Sequence, residues 1–107
     1  MRIKMIPFKT YKQYNFYTSI NGAKYQIHVR YNSYLDNYYL NIDRYVNGKF
    51  VNIINSIMLY TGFDLFSQHP QFNLGNCYVI PLKKELYPED PKSSTIQNYI
   101  FFWISEN

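Results

Sequence analysis

From Tyr14 onward the chain alternates apolar and polar positions with a period of two. Tyr14, Phe16, Thr18 and Ile20 interleave with Asn15, Tyr17 and Ser19, and Asn21-Gly22 then breaks the pattern. Such a period places alternate side chains on opposite faces of a sheet. Asn-Gly tolerates positive φ at both residues, which suits a two-residue hairpin turn. The stretch KYQIHVRYNSYLDNYYLNI, residues 24–42, resumes the alternation at once. Tyr25, Ile27, Val29 and Tyr31 are expected to face inward, with Lys24, Gln26, His28 and Arg30 facing outward. NSYLDN reads as a turn, because Asn and Asp side chains bond to nearby backbone. After it Tyr38, Leu40 and Ile42 fall on one side and Tyr39, Asn41 and Asp43 on the other. Asn47-Gly48 is a second hairpin signal, so residues 14–45 are expected to form a three-stranded antiparallel meander with one apolar and one wet face.

The flanking segments are less regular. MRIKMIPF reads as a first short strand closed by Pro7. FVNIINSIMLY has broken alternation and reads as one buried strand, or as two joined at Asn55-Ser56; its β-branched residues and Asn disfavour a helix. Gly62 ends that run, and the FDLF after it is either a short helical turn or extended. SQHPQFN is loop and NCYVIPL is a strand closed by Pro81. KKELYPEDPKSS, with Pro88 and Pro91, is the longest irregular stretch. TIQNYIFFWI is a final strand, apolar enough to suggest burial on both faces or against another chain. The total is about seven or eight short strands, the usual cue for a small barrel or sandwich. The expected fold class is all-β: one antiparallel β barrel or sandwich domain over residues 1–107.

Composition changes this picture little. Charged residues are 17% and aromatic residues 21%, with 13 Tyr and 8 Phe, so burial can offset the ordering entropy. Part of the Tyr and Asn excess fits a bias towards AT-rich codons. A net charge of +4 allows a polyanionic partner without demanding one. The lone cysteine, Cys77, excludes an intrachain disulfide and reads as a packed thiol. No secretory leader and no transmembrane stretch is evident, so folding in a cytoplasm is expected.

Chemistry is sparse. His28 reads as an exposed strand histidine and His69 as a loop residue, and neither forms a zinc spacing with Cys77. A Cys77–His69 catalytic pair lacks any local signature for a lowered thiol pKa or an oriented base. The acids Asp36, Asp43, Glu85, Glu89, Asp90 and Glu106 carry no catalytic motif, and Asp64 in TGFDLF reads as a turn or capping carboxylate. No phosphate loop or dinucleotide fingerprint occurs, so neither catalytic residues nor a cofactor or metal site is expected. Two binding classes remain. Lys24, Arg30, Arg44 and Lys49 with outward Tyr17 and Tyr39 suit an OB-like single-stranded nucleic-acid binder. The Tyr content and the apolar last strand instead suit a subunit buried against neighbours, and physics alone favours this class.

Three segments carry a resemblance. YQIHVRYNSYLDNYYLNI is similar to a strand, an Asn-containing turn and a strand with an aromatic pair. GKFVNIINSIMLYTGFDLF is similar to a Gly, an apolar strand and then Gly-x-Asp-Leu, carried by Gly62, Asp64 and Leu65. FNLGNCYVIPL resembles a Leu-Gly turn leading into a strand, carried by Leu74 and Gly75. Together, in order and spacing, they resemble the baseplate plug proteins of contractile-tailed phages, of the cyanophage type. The sequence departs from that pattern at the polar Asn76 and Cys77, and in a loop from Lys83 to Asn98 without a Gly before the last strand. The resemblance implies a non-enzymatic virion component at the centre of the tail baseplate. Its implied partners are other tail proteins (hub, spike, tube or wedge), with oligomeric placement following the tail's three- or six-fold symmetry. It implies no membrane or nucleic-acid partner and gives Asp64 a structural role. It also gives Lys24, Gln26, His28, Arg30 and Tyr39 a role as a protein-contact face.

Overall fold

The alternation of apolar and polar positions builds most of the structure. The computed structural model describes residues 2–20, 22–86 and 89–105. The expectations for Asn21, Pro88 and Glu106 fall outside these. Among the described residues there are seven strands: β1 (Arg2–Pro7), β2 (Tyr14–Ile20), β3 (Ala23–Asn32), β4 (Asn37–Val46), β5 (Lys49–Met58), β6 (Asn76–Pro81) and β7 (Tyr99–Ser105). They form two antiparallel sheets, a meander sheet in the order β2-β3-β4-β5 and a closing sheet in the order β1-β7-β6. The sheets do not join into a closed barrel, so the fold is a β sandwich.

The meander gains a fourth strand beyond the expected three. Asn47 (φ 50°) and Gly48 (φ 86°) both take positive φ, and Val46 pairs with Lys49 across the turn. That geometry matches the right-handed twist of the flanking strands. β5 is one strand, but its pairing slips against β4. Leu40 faces Ile57, Ile42 faces Ile54 and Asp43 faces Asn52. The extra residues are absorbed as bulges, one of them at Asn55-Ser56, where Ser56 takes φ 60° and its N–H donates to Asn41 Oδ1 at 2.8 Å. This is why β5 does not alternate in sequence.

The core lies between the sheets. Ile27, Val29, Tyr38, Leu40 and Ile42 of the meander pack towards Tyr99, Phe101 and Trp103 of β7, and all are fully buried. Trp103 stacks edge-on against Tyr25 (5.0 Å) and Phe66 (5.5 Å), and its indole N–H donates to the Leu74 carbonyl at 2.6 Å. Such a buried donor needs that acceptor, because an unpaired N–H there would cost its whole hydration.

β7 departs from one of the two readings of its apolarity, burial on both faces. It is the central strand of the closing sheet, paired with both β1 and β6. Its residues alternate between buried and half-buried rather than being buried on both faces. Tyr99, Phe101 and Trp103 point into the sandwich, while Ile100, Phe102 and Ile104 point outward and are only partly covered.

Candidate interaction face and the Asp64 junction

The outer face of the meander gathers the five residues expected to form a contact surface. Lys24, Gln26, His28 and Arg30 follow one another at every second position of β3, and Tyr39 of β4 sits opposite Arg30. The structure adds neighbours that sequence reading missed. His28 Nε2 lies 2.7 Å from Asp43 Oδ2, and this is the one ion-pair contact among the described residues. On its other side Nδ1 lies 2.9 Å from Asn15 Oδ1 and 3.3 Å from Arg30 Nη2. Asn52 Nδ2 donates to the other Asp43 oxygen at 3.1 Å. A polar band, Asn15-His28-Asp43-Asn52, therefore crosses all the strands of the meander. Cross-strand neighbours of this kind stabilise a sheet pair by pair. Their common face was readable from period-two spacing; their partnership needed the strand register.

Not every group on this face is free to meet a partner. Arg30 Nη1 donates to the carbonyls of Val29 (3.0 Å) and Tyr14 (3.3 Å), so part of its hydrogen-bonding capacity is already used. Gln26 donates to the Tyr17 hydroxyl at 3.2 Å. Towards the hairpin ends Tyr17, Tyr45 and Phe50 cluster, with centroids 5.5 Å and 5.2 Å from Phe50, and Lys24 lies over the Tyr45 ring. Tyr17 is 67% exposed, so this cluster offers aromatic surface to solvent.

The basic set proposed for nucleic acid is divided. Arg44 pairs in register with Tyr25 and its guanidinium lies 6.0 Å from that ring's centre, on the side that faces the core. Lys49, opposite Val46, shares Arg44's side. Lys24 and Arg30 are on the other face.

The second feature is the loop after β5. Gly62 takes φ 93°, and Asp64 then turns its carboxylate onto the start of β6. Oδ1 accepts the N–H groups of Phe66 (2.9 Å) and Cys77 (2.8 Å), while Oδ2 accepts Asn76 Nδ2 (2.7 Å). The Leu65 N–H donates to the Cys77 carbonyl at 2.7 Å, and Leu65 and Leu74 are buried beside it. Gly62, Asp64, Leu65, Leu74 and Gly75 are thus brought to one junction between the loop and the closing sheet. Replacing Asp64 by Asn keeps one acceptor oxygen but sets an amide against the Asn76 amide. We expect a loss of about 1–3 kcal/mol, read as a lower urea midpoint. An unchanged midpoint would show that the carboxylate has no structural task.

Cys77 and His69 do not assemble a reactive pair. Cys77 is fully buried in β6, and burial first, then the Asp64 charge, pushes its thiol well above the ordinary 9.0. The native thiol should therefore stay unmodified by a small disulfide reagent that labels the urea-unfolded chain. Burial also raises Tyr14, Tyr25, Tyr38 and Tyr99 above 10.0. A group whose pKa is raised by folding stabilises the fold below its unfolded value and loses that contribution as pH climbs. Stability should accordingly be flat below pH 9.0 with respect to these groups and fall above it, starting with Cys77. Rapid labelling of the native thiol, or an alkaline limb that rises, would contradict this.

No helix among the described residues is long and apolar enough to cross a membrane. Comparison with curated proteins gives no match. A family model described as Cyanophage baseplate Pam3 plug gp18 matches residues 3–107. The chain belongs to this baseplate plug family. The match runs through both sheets of the sandwich, from the first strand to the last, and includes the Asp64 junction and the polar face. For a plug-family chain, the resemblance carried by Gly62-x-Asp64-Leu65 and Leu74-Gly75 falls on residues that pin a loop to a sheet.

Proposed function

We propose that this chain is a structural, non-enzymatic subunit of a phage contractile tail. It acts as a plug at the centre of the baseplate, where it contacts hub, spike and tube proteins and stabilises their junction until contraction. The observation that carries this reading is the family match over residues 3–107. Its site is the virion, with assembly in the host cytoplasm, and several copies follow the tail's symmetry. The outer face of the meander, with Lys24, Gln26, His28, Arg30 and Tyr39, serves as one contact with a neighbouring tail protein. Exposed Tyr17, clustered with Phe50 and Tyr45, supports this, since aromatic groups are enriched at interface cores. The division of basic residues between two faces weighs against an electrostatic track for single-stranded nucleic acid.

Quantitative mass spectrometry of purified particles tests the reading. A fixed low copy number in multiples of three is expected, and absence from intact particles overturns it. The face is tested by Lys24→Glu with Tyr17→Ser, which spares the His28–Asp43 contact that knits the strands. Its thermal midpoint should match wild type and its incorporation should fall. Normal incorporation would remove this face from the contact.

A further inference from the structure

The β4–β5 hairpin runs past the core as an arm. From Arg44 to Asn52 every residue is exposed except the half-buried Phe50. Strand register gives the arm two different sides. Tyr45 and Phe50 face outward, where Lys24 and Tyr17 pack on them. Arg44 pairs with the buried Tyr25 and with Val51, and Val46 pairs with Lys49. Arg44, Val46, Lys49 and Val51 therefore share the inward side, yet the closing sheet does not cover them. Val46 is 40% exposed and Val51 39%. At the root of the arm the two sheets leave a cavity of about 120 Å³, lined by Tyr25, Arg44, Asn73 and Ser105 among others. Arg2 pairs with that Ser105 and Lys4 with Trp103, so both cations of β1 also fall on the inward side, and both are exposed.

We propose that the inner side of this arm, with the cavity at its root, docks an extended, carboxylate-bearing segment of a different protein. The proposal rests on the reading of the chain as an assembly subunit and adds to it the chemistry of a second contact. Charge selects the occupant. Arg2, Lys4, Arg44 and Lys49 all lie on the inward sides of the sheets at this end, and none is within ion-pair distance of a carboxylate among the described residues. The Arg44 guanidinium lies 6.0 Å from the Tyr25 ring centre and makes no hydrogen bond to the described residues, so its donors are open to a ligand. Two acids belong to neighbouring segments, and both are engaged elsewhere. Asp43 turns to the other face, onto His28 and Asn52, and Asp64 accepts from Phe66, Asn76 and Cys77.

An open guanidinium suits a carboxylate or a phosphate, and the arm's apolar groups separate the two. Between the cations stand valines, while the arm's rings are on its opposite side. Single-stranded nucleic acid would find no ring there on which to stack its bases. A ribbon of two strands about 4.8 Å apart is instead a platform one extended peptide wide. Along it, alternating acidic and apolar side chains would meet the cations and the valines in turn. A second copy of this chain, related by a two-fold axis through the arm, would set cations on cations.

Carbodiimide crosslinking, which joins an amine to a carboxylate in contact with it, tests this in purified particles. Lys49 should be linked to an Asp or Glu of a different protein. Lys49→Arg keeps the charge but removes the amine, so it should abolish the link and leave incorporation unchanged. Arg44→Glu with Lys49→Glu should cut incorporation roughly tenfold, as two attractive contacts become repulsive. The thermal midpoint should hold, because both side chains are exposed. Particles that contain the chain but give no link from Lys49 overturn this inference and leave the baseplate reading standing. Incorporation indifferent to the charge reversal does the same. A link from Lys49 to an acid of this chain, Glu106 included, overturns it in favour of a self-contact. With the isolated chain, hexaglutamate should bind more tightly than hexathymidylate, and the reverse order overturns it in favour of nucleic acid. Particles lacking the chain overturn both readings.

Discussion

Gly75→Ala is expected to destabilise the protein by roughly 3–5 kcal/mol, a large share of the 5–15 kcal/mol typical of a domain. Two costs combine. Gly75 takes φ 88°, a conformation that side-chain-bearing residues resist at about 1–2 kcal/mol. A Cβ there would also run into the β7 backbone, 3.0 Å from the Ile104 carbonyl carbon and closer still to its oxygen. The obstacle is main chain in the central strand of a sheet, so it cannot swing aside as a flexible side chain would. Relief requires Leu74 or β7 to move, and either movement strains the Trp103–Leu74 hydrogen bond. Equilibrium urea unfolding checks the prediction. A midpoint within error of wild type would mean that the close approach of residue 75 to β7 is wrong. Gly48→Ala is the natural contrast, because no atom lies near its absent Cβ and only the φ cost applies.

Trp103→Ala should cost about 3–5 kcal/mol by the same assay. Trp103 is fully buried at the centre of the sandwich and touches side chains of β3, the Asp64 loop and β7 itself, through Tyr25, Phe66 and Phe101. Its removal leaves a cavity between sheets that are tethered on all sides and close in only partly. The loss has a separable polar part. Trp103→Phe keeps most of the packing but strands the Leu74 carbonyl, at about 1–3 kcal/mol. If the Phe variant lost as much as the Ala variant, the hydrogen bond rather than the packing would hold the sheets together. If neither lost stability, the core would be placed elsewhere.

The parts of this fold that could be read from sequence share one property: their signal is local. β2, β3 and β4 alternate cleanly, and the turn at Asn47-Gly48 needs positive φ where Asn and Gly supply it, so the meander and its buried face followed directly. β5 could not be settled because its bulges break the period that reading depends on. The pairing of β1 with β7 leaves no local trace, since the two strands come from opposite ends of the alternating text. Arg44 and Lys49 looked like members of one wet, basic face. Register puts them on the inward side, where the hairpin extends and the cations remain solvated or lie over Tyr25. Asp64 could be named as a turn carboxylate, but its bonds to Asn76 and Cys77 span a dozen residues and appear only in three dimensions.

The strand order also sets a schedule for synthesis. The meander sheet is sequence-contiguous, so each of its strands meets its partner as soon as it leaves the ribosome. β1 is made before all of them, yet among the described residues its one pairing strand is β7, the last of the seven to be made. Until β7 emerges, Ile3, Met5 and Ile6 trail from a half-built sandwich whose inner face is also open. Pairings that wait on such distant chain closure are slow to form and leave apolar surface open to chaperones and to other nascent chains. The strand at the edge of the closing sheet in the finished protein is thus the segment longest without shelter during its birth.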